Sequence, residues 1–190
     1  MIVRFIPLVF LCLMALSLAG CRDSLVYERS VSELNQKASQ LIQEGKAAQA
    51  VGRLESALDL MPKEPSVRFN LAIAYQANGQ WDECIQTLQA FLEQFPNDAL
   101  KPKVLQSLAV ALETKADLAL HPVSDKPDAE PKPPTPAAKA QSAQFYQQAI
   151  ATYTELLKAL PTDQADKRAE IEAHVSQLQT HLATPSAAAS

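Results

Sequence analysis

Hydrophobic and polar residues are distributed along this chain in two ways. Residues 1–20, MIVRFIPLVFLCLMALSLAG, form an almost unbroken block with 16 apolar residues. Further on, apolar positions thin out to the spacing of one helix face. That rhythm itself repeats. Gly45 and Gly79 stand 34 residues apart; in the same frame Ala38 falls on Ala72, Leu41 on Tyr75, Ala50 on Cys84, Leu54 on Leu88, Ala57 on Phe91 and Pro62 on Pro96. The pattern predicts two units, residues 31–64 and 65–98, each a pair of helices. The first helix of a pair runs to about the glycine, which permits the turn. The second ends at the proline, which cannot continue it. Ala38, Ala50, Ala72 and Ala74 let helices approach closely, while Leu54, Tyr75 and Leu88 fill the space between them. One unit cannot bury its own face, so neighbours must stack.

A third unit begins and is interrupted. Asn97 or Asp98 is suited to cap a helix, and Pro102 to its first turn. Leu105, Leu108, Ala109, Leu112 and Ala116 keep helical spacing, but no glycine follows at the expected phase. Residues 121–136, HPVSDKPDAEPKPPTP, hold six of the 13 prolines and no aromatic residue. That composition predicts an extended, solvated and disordered loop, drawn over 121–138. Ala149, Tyr153, Leu156 and Pro161 then restore the spacing of Cys84, Leu88, Phe91 and Pro96, after an insertion of 31 residues. The second helix of the third unit is therefore expected within 139–160, and a last helix over about 163–183. Ile171, Val175, Leu178 and Leu182 form a stripe on that last helix, suited to cover the open apolar end of the stack. Residues 184–190 read as a frayed polar tail.

The period and its residues resemble the tetratricopeptide repeat. Residues 65–98 carry the pattern best, with Leu71, Ala72, Tyr75, Gly79, Cys84, Leu88 and Pro96, and GQWDECI is similar to the family's joint between helices. Residues 31–64 depart from it, because Lys37 and Leu41 stand where a large apolar and an aromatic residue are usual. The resemblance implies an all-α fold: a short right-handed α-solenoid of about three helix-turn-helix units with a C-terminal capping helix. Residues 31–120 would hold two units and the first helix of the third, and 139–183 its second helix and the cap.

The resemblance also implies a concave groove, lined by the first helix of each unit, that receives a partner segment. Its candidate lining is Asn35, Ser39 and Ile42, then Phe69, Asn70, Ile73 and Gln76, then Lys103, Ser107 and Val110. This mixture of apolar and amide groups suits an extended or helical segment. The subfamily that grips a C-terminal carboxylate uses two Lys, one Arg and two Asn at set phases. Only Asn70 matches here; Asn35, Ser39, Leu100 and Val104 occupy the other phases, so no such clamp is expected.

The N-terminal block reads as a signal peptide. Arg4 supplies the charged start, and the run from Phe5 to Leu18 is shorter than the roughly 20 residues of a membrane span. It ends in Leu18-Ala19-Gly20-Cys21, which resembles the bacterial lipobox. The resemblance implies cleavage before Cys21, with a diacylglyceryl group on its thiol and an acyl chain on its new amine. Residues 21–30 would then be a lipidated tether. Arg22 follows the cysteine and Asp appears only at 23, which leans sorting toward the periplasmic face of an outer membrane, where the organism has one.

Composition narrows the chemistry. The chain has a net charge of −4, 4 Gly and 31 Ala, a helix-forming balance with no basic footprint for nucleic acid. Cys12, Cys21 and Cys84 give neither zinc spacing nor a disulfide framework. Cys84 shares its phase with Ala50 and Ala149, which reads as packing, and Trp81 reads as packing the joint between helices. His174 and His181 are seven apart, wider than a metal pair prefers. No HExxH or GxSxG motif occurs. The expectation is a non-catalytic adaptor in the cell envelope. It would have protein partners, a lipid anchor and no cofactor, metal, nucleic acid or small-molecule substrate. The alternatives are a self-associating structural lipoprotein and an envelope enzyme.

Overall fold

The computed structural model describes residues 27, 29–121 and 133–183. The expected signal peptide, Cys21, most of the tether, residues 122–132 of the proline-rich loop and the tail 184–190 lie outside the described residues. Among those described there are seven helices and no strand: α1 (residues 29–43), α2 (Ala47–Leu60), α3 (Pro65–Ala77), α4 (Trp81–Gln94), α5 (Lys101–Leu120), α6 (Pro136–Ala159) and α7 (Ala165–Ala183). None is long and apolar enough to cross a membrane. From α2 onward each helix packs on the next in an all-α solenoid, α3 also touches α5, and Val31, Ala38 and Leu41 of α1 join the same core.

The repeat is visible in the way its helices stop. Gly45 and Gly79 have φ of +73° and +74°, the left-handed region that a side chain resists. Around Gly45, Lys46 N–H donates to Leu41 O at 2.8 Å and Gly45 N–H to Ile42 O at 3.0 Å. Around Gly79, Gln80 N–H donates to Tyr75 O at 2.9 Å and Gly79 N–H to Gln76 O at 3.1 Å. Both are Schellman closures, which satisfy carbonyls left open at a helix end. The second helices also end alike: Met61, Phe95 and Leu160 each donate N–H to the carbonyl four residues back, and proline follows each.

The predicted core residues are buried. Ala50, Leu54, Cys84, Leu88, Phe91, Ala149 and Leu156 are all 0% exposed, and each large apolar side chain so buried contributes about 1.5–3 kcal/mol. Two apolar clusters result, one across α1–α5 with Ala149 of α6, and one across α5–α7. Leu92 and Phe145 pack against both, so the core is continuous. On α7, Ile171 and Leu178 are buried, with Val175 and Leu182 packed partly against the second cluster.

Three boundaries differ from the sequence reading. Helix α1 starts before residue 31, with residue 27 already helical, so helix reaches into the stretch 21–30 expected as a tether. Helix α6 starts at Pro136 rather than 139, because Thr135 caps it: Thr135 Oγ1 accepts from Ala138 N–H at 3.1 Å, and Pro136 has the fixed φ that suits a first turn. The loop 121–138 is shortened accordingly. Asp98 caps the turn ahead of α5, accepting from Leu100 N–H at 2.7 Å, while the residue flanking α5 itself is Leu100.

Candidate functional site

Helices α1, α3 and α5 carry the candidate groove residues. Asn35 ties the first two together, with Nδ2 donating to Ser66 Oγ at 3.0 Å. Ile42 and Phe69 are partly buried and rest against the first core cluster, so part of each is committed to packing. Asn70, Ile73, Gln76 and Ser107 are half-buried, while Ser39, Lys103 and Val110 are exposed. The Ser39 hydroxyl is turned back onto its own helix, donating to Asn35 O at 3.0 Å.

Two cavities open at the first unit. One, of about 570 Å³, lies between α1 and α2 and is lined by Leu34, Lys37, Gly52, Arg53, Ser56 and Leu60 among others. Lys37 stands one period before Leu71, which is 4% exposed against the preceding unit. The first unit has no described predecessor, and a lysine at that phase leaves its outer face wettable. The other cavity, of about 350 Å³, is lined by Tyr27, Val31, Ser32, Asn35 and Glu64. Of the candidate groove residues, Asn35 lines this cavity and the others line neither.

A third polar region joins α5, α6 and α7. His174 Nε2 lies 3.0 Å from both carboxylate oxygens of Glu113. The same carboxylate takes a hydrogen bond from Tyr153, whose ring meets His174 edge-on at 5.3 Å. One turn along α5, Asp117 accepts from the Tyr146 hydroxyl, and the Tyr146 ring meets His181 edge-on at 5.2 Å. As the partners advance along α6 they recede along α5, so the two helices are antiparallel. Burial, then the Glu113 and Asp117 carboxylates, hold both phenols well above their ordinary range. Burial and Glu55 do the same to Tyr75, whose hydroxyl donates to Glu55 at 2.6 Å.

Cys84 is fully enclosed, and burial pushes its thiol up to about 11. A thiolate is what reacts, so this group is inert near neutral pH. Trp81 opens α4 and packs partly against the first core cluster. Among the described residues no group of three or more His, Cys, Asp or Glu is placed to hold a metal ion.

Sequence reasoning missed Glu64 and Tyr27. The first sits in a turn between units and the second in the stretch assigned to the tether. The signal available was Glu64-Pro65-Ser66, an acidic residue ahead of a proline at a helix start.

Comparison with known proteins agrees with this architecture. Residues 41–101 match the tetratricopeptide repeat family. The translocator chaperone SycD of type III secretion from Yersinia enterocolitica superposes with a TM-score of 0.53 at 16% identity, over 83% of this chain and 88% of that one. The Sgt2 TPR domain from Aspergillus fumigatus gives a TM-score of 0.47 at 16% identity, over 85% of this chain and 88% of that one. No curated protein matches the sequence. Residues 41–101 thus carry the tetratricopeptide pattern, and the described residues share the all-α solenoid fold of stacked helix pairs.

Proposed function

We propose that this protein is a lipid-anchored adaptor of the bacterial cell envelope, which holds a partner polypeptide against α1, α3 and α5 and has no catalytic role. The observation that carries the reading is the alignment of those three helices side by side, joined by the Asn35–Ser66 bond and the α3–α5 contact, with half-buried apolar and amide groups between them. Repeats of this kind bind polypeptides in such rows. Anchoring rests on Leu18-Ala19-Gly20-Cys21 at the end of an apolar block. Several acyl chains together hold a protein on a bilayer, each buried methylene adding about 0.8 kcal/mol. Residues 22–26 reach at most about 18 Å when extended, so the row of helices would work close to the membrane surface. The outer membrane is favoured over the inner by Arg22.

Two measurements test this. A clickable palmitate analogue should label the wild-type chain and not Cys21→Ser; equal labelling removes the anchor from the reading. Crosslinking in intact membranes should yield a discrete partner band that disappears when Phe69, Asn70 and Ile73 are replaced together. A band that survives the triple change places the contact elsewhere.

A further inference from the structure

We infer that the cavity between Tyr27, Val31, Ser32, Asn35 and Glu64 is a seat for a cationic side chain, arginine above all, carried by the partner polypeptide. This rests on the reading that a polypeptide lies along α1 and α3. It adds which residue that polypeptide must present, and where.

Hydrogen-bond direction around the cavity determines what it can accept. The Ser66 hydroxyl has one proton, and Glu64 Oε1, 2.8 Å away, is a carboxylate oxygen with none to give. Ser66 therefore donates to Glu64 and must accept from Asn35, which fixes Asn35 Nδ2 as the donor at 3.0 Å. The Asn35 oxygen is left buried without a partner, and other atoms of Asn35 line the cavity. Ser66 N–H also points at Glu64 Oε1, at 3.3 Å, so the start of α3 occupies that oxygen twice. Among the described residues, Glu64 Oε2 keeps only a long contact of 3.4 Å from the Tyr27 hydroxyl. Ser66 and Tyr27 thus direct their protons at the carboxylate and Asn35 Nδ2 directs its own at Ser66, and what remains is acceptor capacity on Glu64 Oε2 and the Tyr27 hydroxyl.

Charge points the same way. Among the described residues no Lys, Arg or His nitrogen forms an ion pair with Glu64, although Lys63 is its neighbour in sequence and Arg68 lies one turn into α3. The Arg68 guanidinium donates instead to Pro62 O at 3.2 Å. A half-buried carboxylate surrounded by neutral donors attracts a cation more strongly than an exposed one. The walls fit a long cationic side chain too. Val31 and the Tyr27 ring offer apolar surface for the methylene stem, and the ring face attracts a guanidinium. Arginine presents five donors in a fixed fork, which matches several acceptors at different angles better than a lysine ammonium does. The polarity is opposite to that of a carboxylate clamp. Because Asn35 belongs both to this cavity and to the inner row, a chain running along the row passes its mouth.

The test uses the full-length chain in detergent micelles and a positional library of acetylated, amidated decapeptides. Pools with arginine fixed at one position are compared with pools carrying citrulline there, which keeps the shape and removes the charge. The wild type should bind at least one arginine pool roughly tenfold more tightly than its citrulline counterpart, the scale of one charge-assisted contact. Glu64→Gln keeps an oxygen for the Ser66 N–H and should abolish the preference. Ser32→Lys, which brings a cation of the chain's own to the cavity, should abolish it as well. Peptide binding by the wild type without an arginine preference overturns the inference and leaves the groove reading standing. A preference that persists in Glu64→Gln overturns the assignment to this cavity. Failure of every pool to bind removes both readings together.

Discussion

The two halves of the solenoid solve the same packing problem with different chemistry. In α1–α4 the helices are short, 14 residues in α2 and α4 and 13 in α3, and each first helix is stopped by a glycine in the left-handed region. In α5–α7 the stop is gone. Glu113 stands one period after Gly79, and α5 continues through it to 20 residues, answered by 24 in α6. The second helix changes with it: Tyr153 takes the phase of Leu54 and Leu88. A phenol in a core position needs an acceptor, and the carboxylate at the former glycine phase supplies one. Repeat length is therefore set by where a helix is told to stop. Removing that signal demands a new set of polar contacts rather than a new apolar core.

The largest effect is expected from emptying the core at one phase in both halves. Phe91→Ala and Leu156→Ala each remove a fully buried side chain, and should cost about 3–5 and about 2–5 kcal/mol respectively in urea denaturation. Because Leu92 and Phe145 bridge the two clusters, both variants should shift one shared transition. A second transition confined to either variant would divide the solenoid into independent parts.

Next in size is an exchange of the stop signals. Glu113→Gly should cost about 2–3 kcal/mol, from lost helix propensity and from leaving the Tyr153 hydroxyl short of its acceptor. Gly79→Ala should cost about 1–2 kcal/mol through the left-handed backbone. Gly52, inside α2 with open space around its Cβ position, should respond oppositely, its replacement by Ala stabilising by about 0.5–1 kcal/mol. Thr135→Ala removes the cap of α6 and should cost about 1 kcal/mol, read from the same urea midpoints.

The smallest differences concern alkaline pH. Tyr75, Tyr146 and Tyr153 all hold their protons more tightly folded than unfolded. Unfolding thus releases protons above pH 10, the ordinary phenol value, and stability falls as pH rises past it. Cys84 acts with the same sign, beginning near its ordinary value of 9. Urea midpoints taken upward through pH 10 should fall less steeply in Tyr146→Phe and Tyr153→Phe combined than in Tyr75→Phe, since the double variant removes two buried phenols and the single variant one.

Much of this was legible in the sequence because its signals act on the backbone directly. A glycine at 45 and 79 and a proline after each second helix limit which φ values the chain can adopt, wherever it later packs. The burial of Ala50, Leu88 or Leu156 followed from the same period. The polar contacts did not, because they join positions far apart in sequence. Glu113 and His174 are 61 residues apart, and Tyr27 and Glu64 are 37 apart; no periodicity links them. Asn35 was found by its phase, but the direction of its hydrogen bond depends on Ser66 and Glu64, one unit away. The start of α6 was missed because proline was read as loop composition, when behind a threonine it also opens helices.

The long connection before α6 has a kinetic side. Asn78–Gln80 join α3 to α4, whereas residues 121–135 join α5 to α6, a stretch five times as long. Bringing the ends of the longer connection together costs on the order of 1 kcal/mol more in chain entropy. The α3–α4 hairpin is thus the cheaper nucleus, and the α5–α6 hairpin should close later, onto a surface already formed. Stopped-flow refolding tests that order: Leu88→Ala should slow folding, and Leu156→Ala should mainly speed unfolding. The reverse pattern would put the nucleus in the second half.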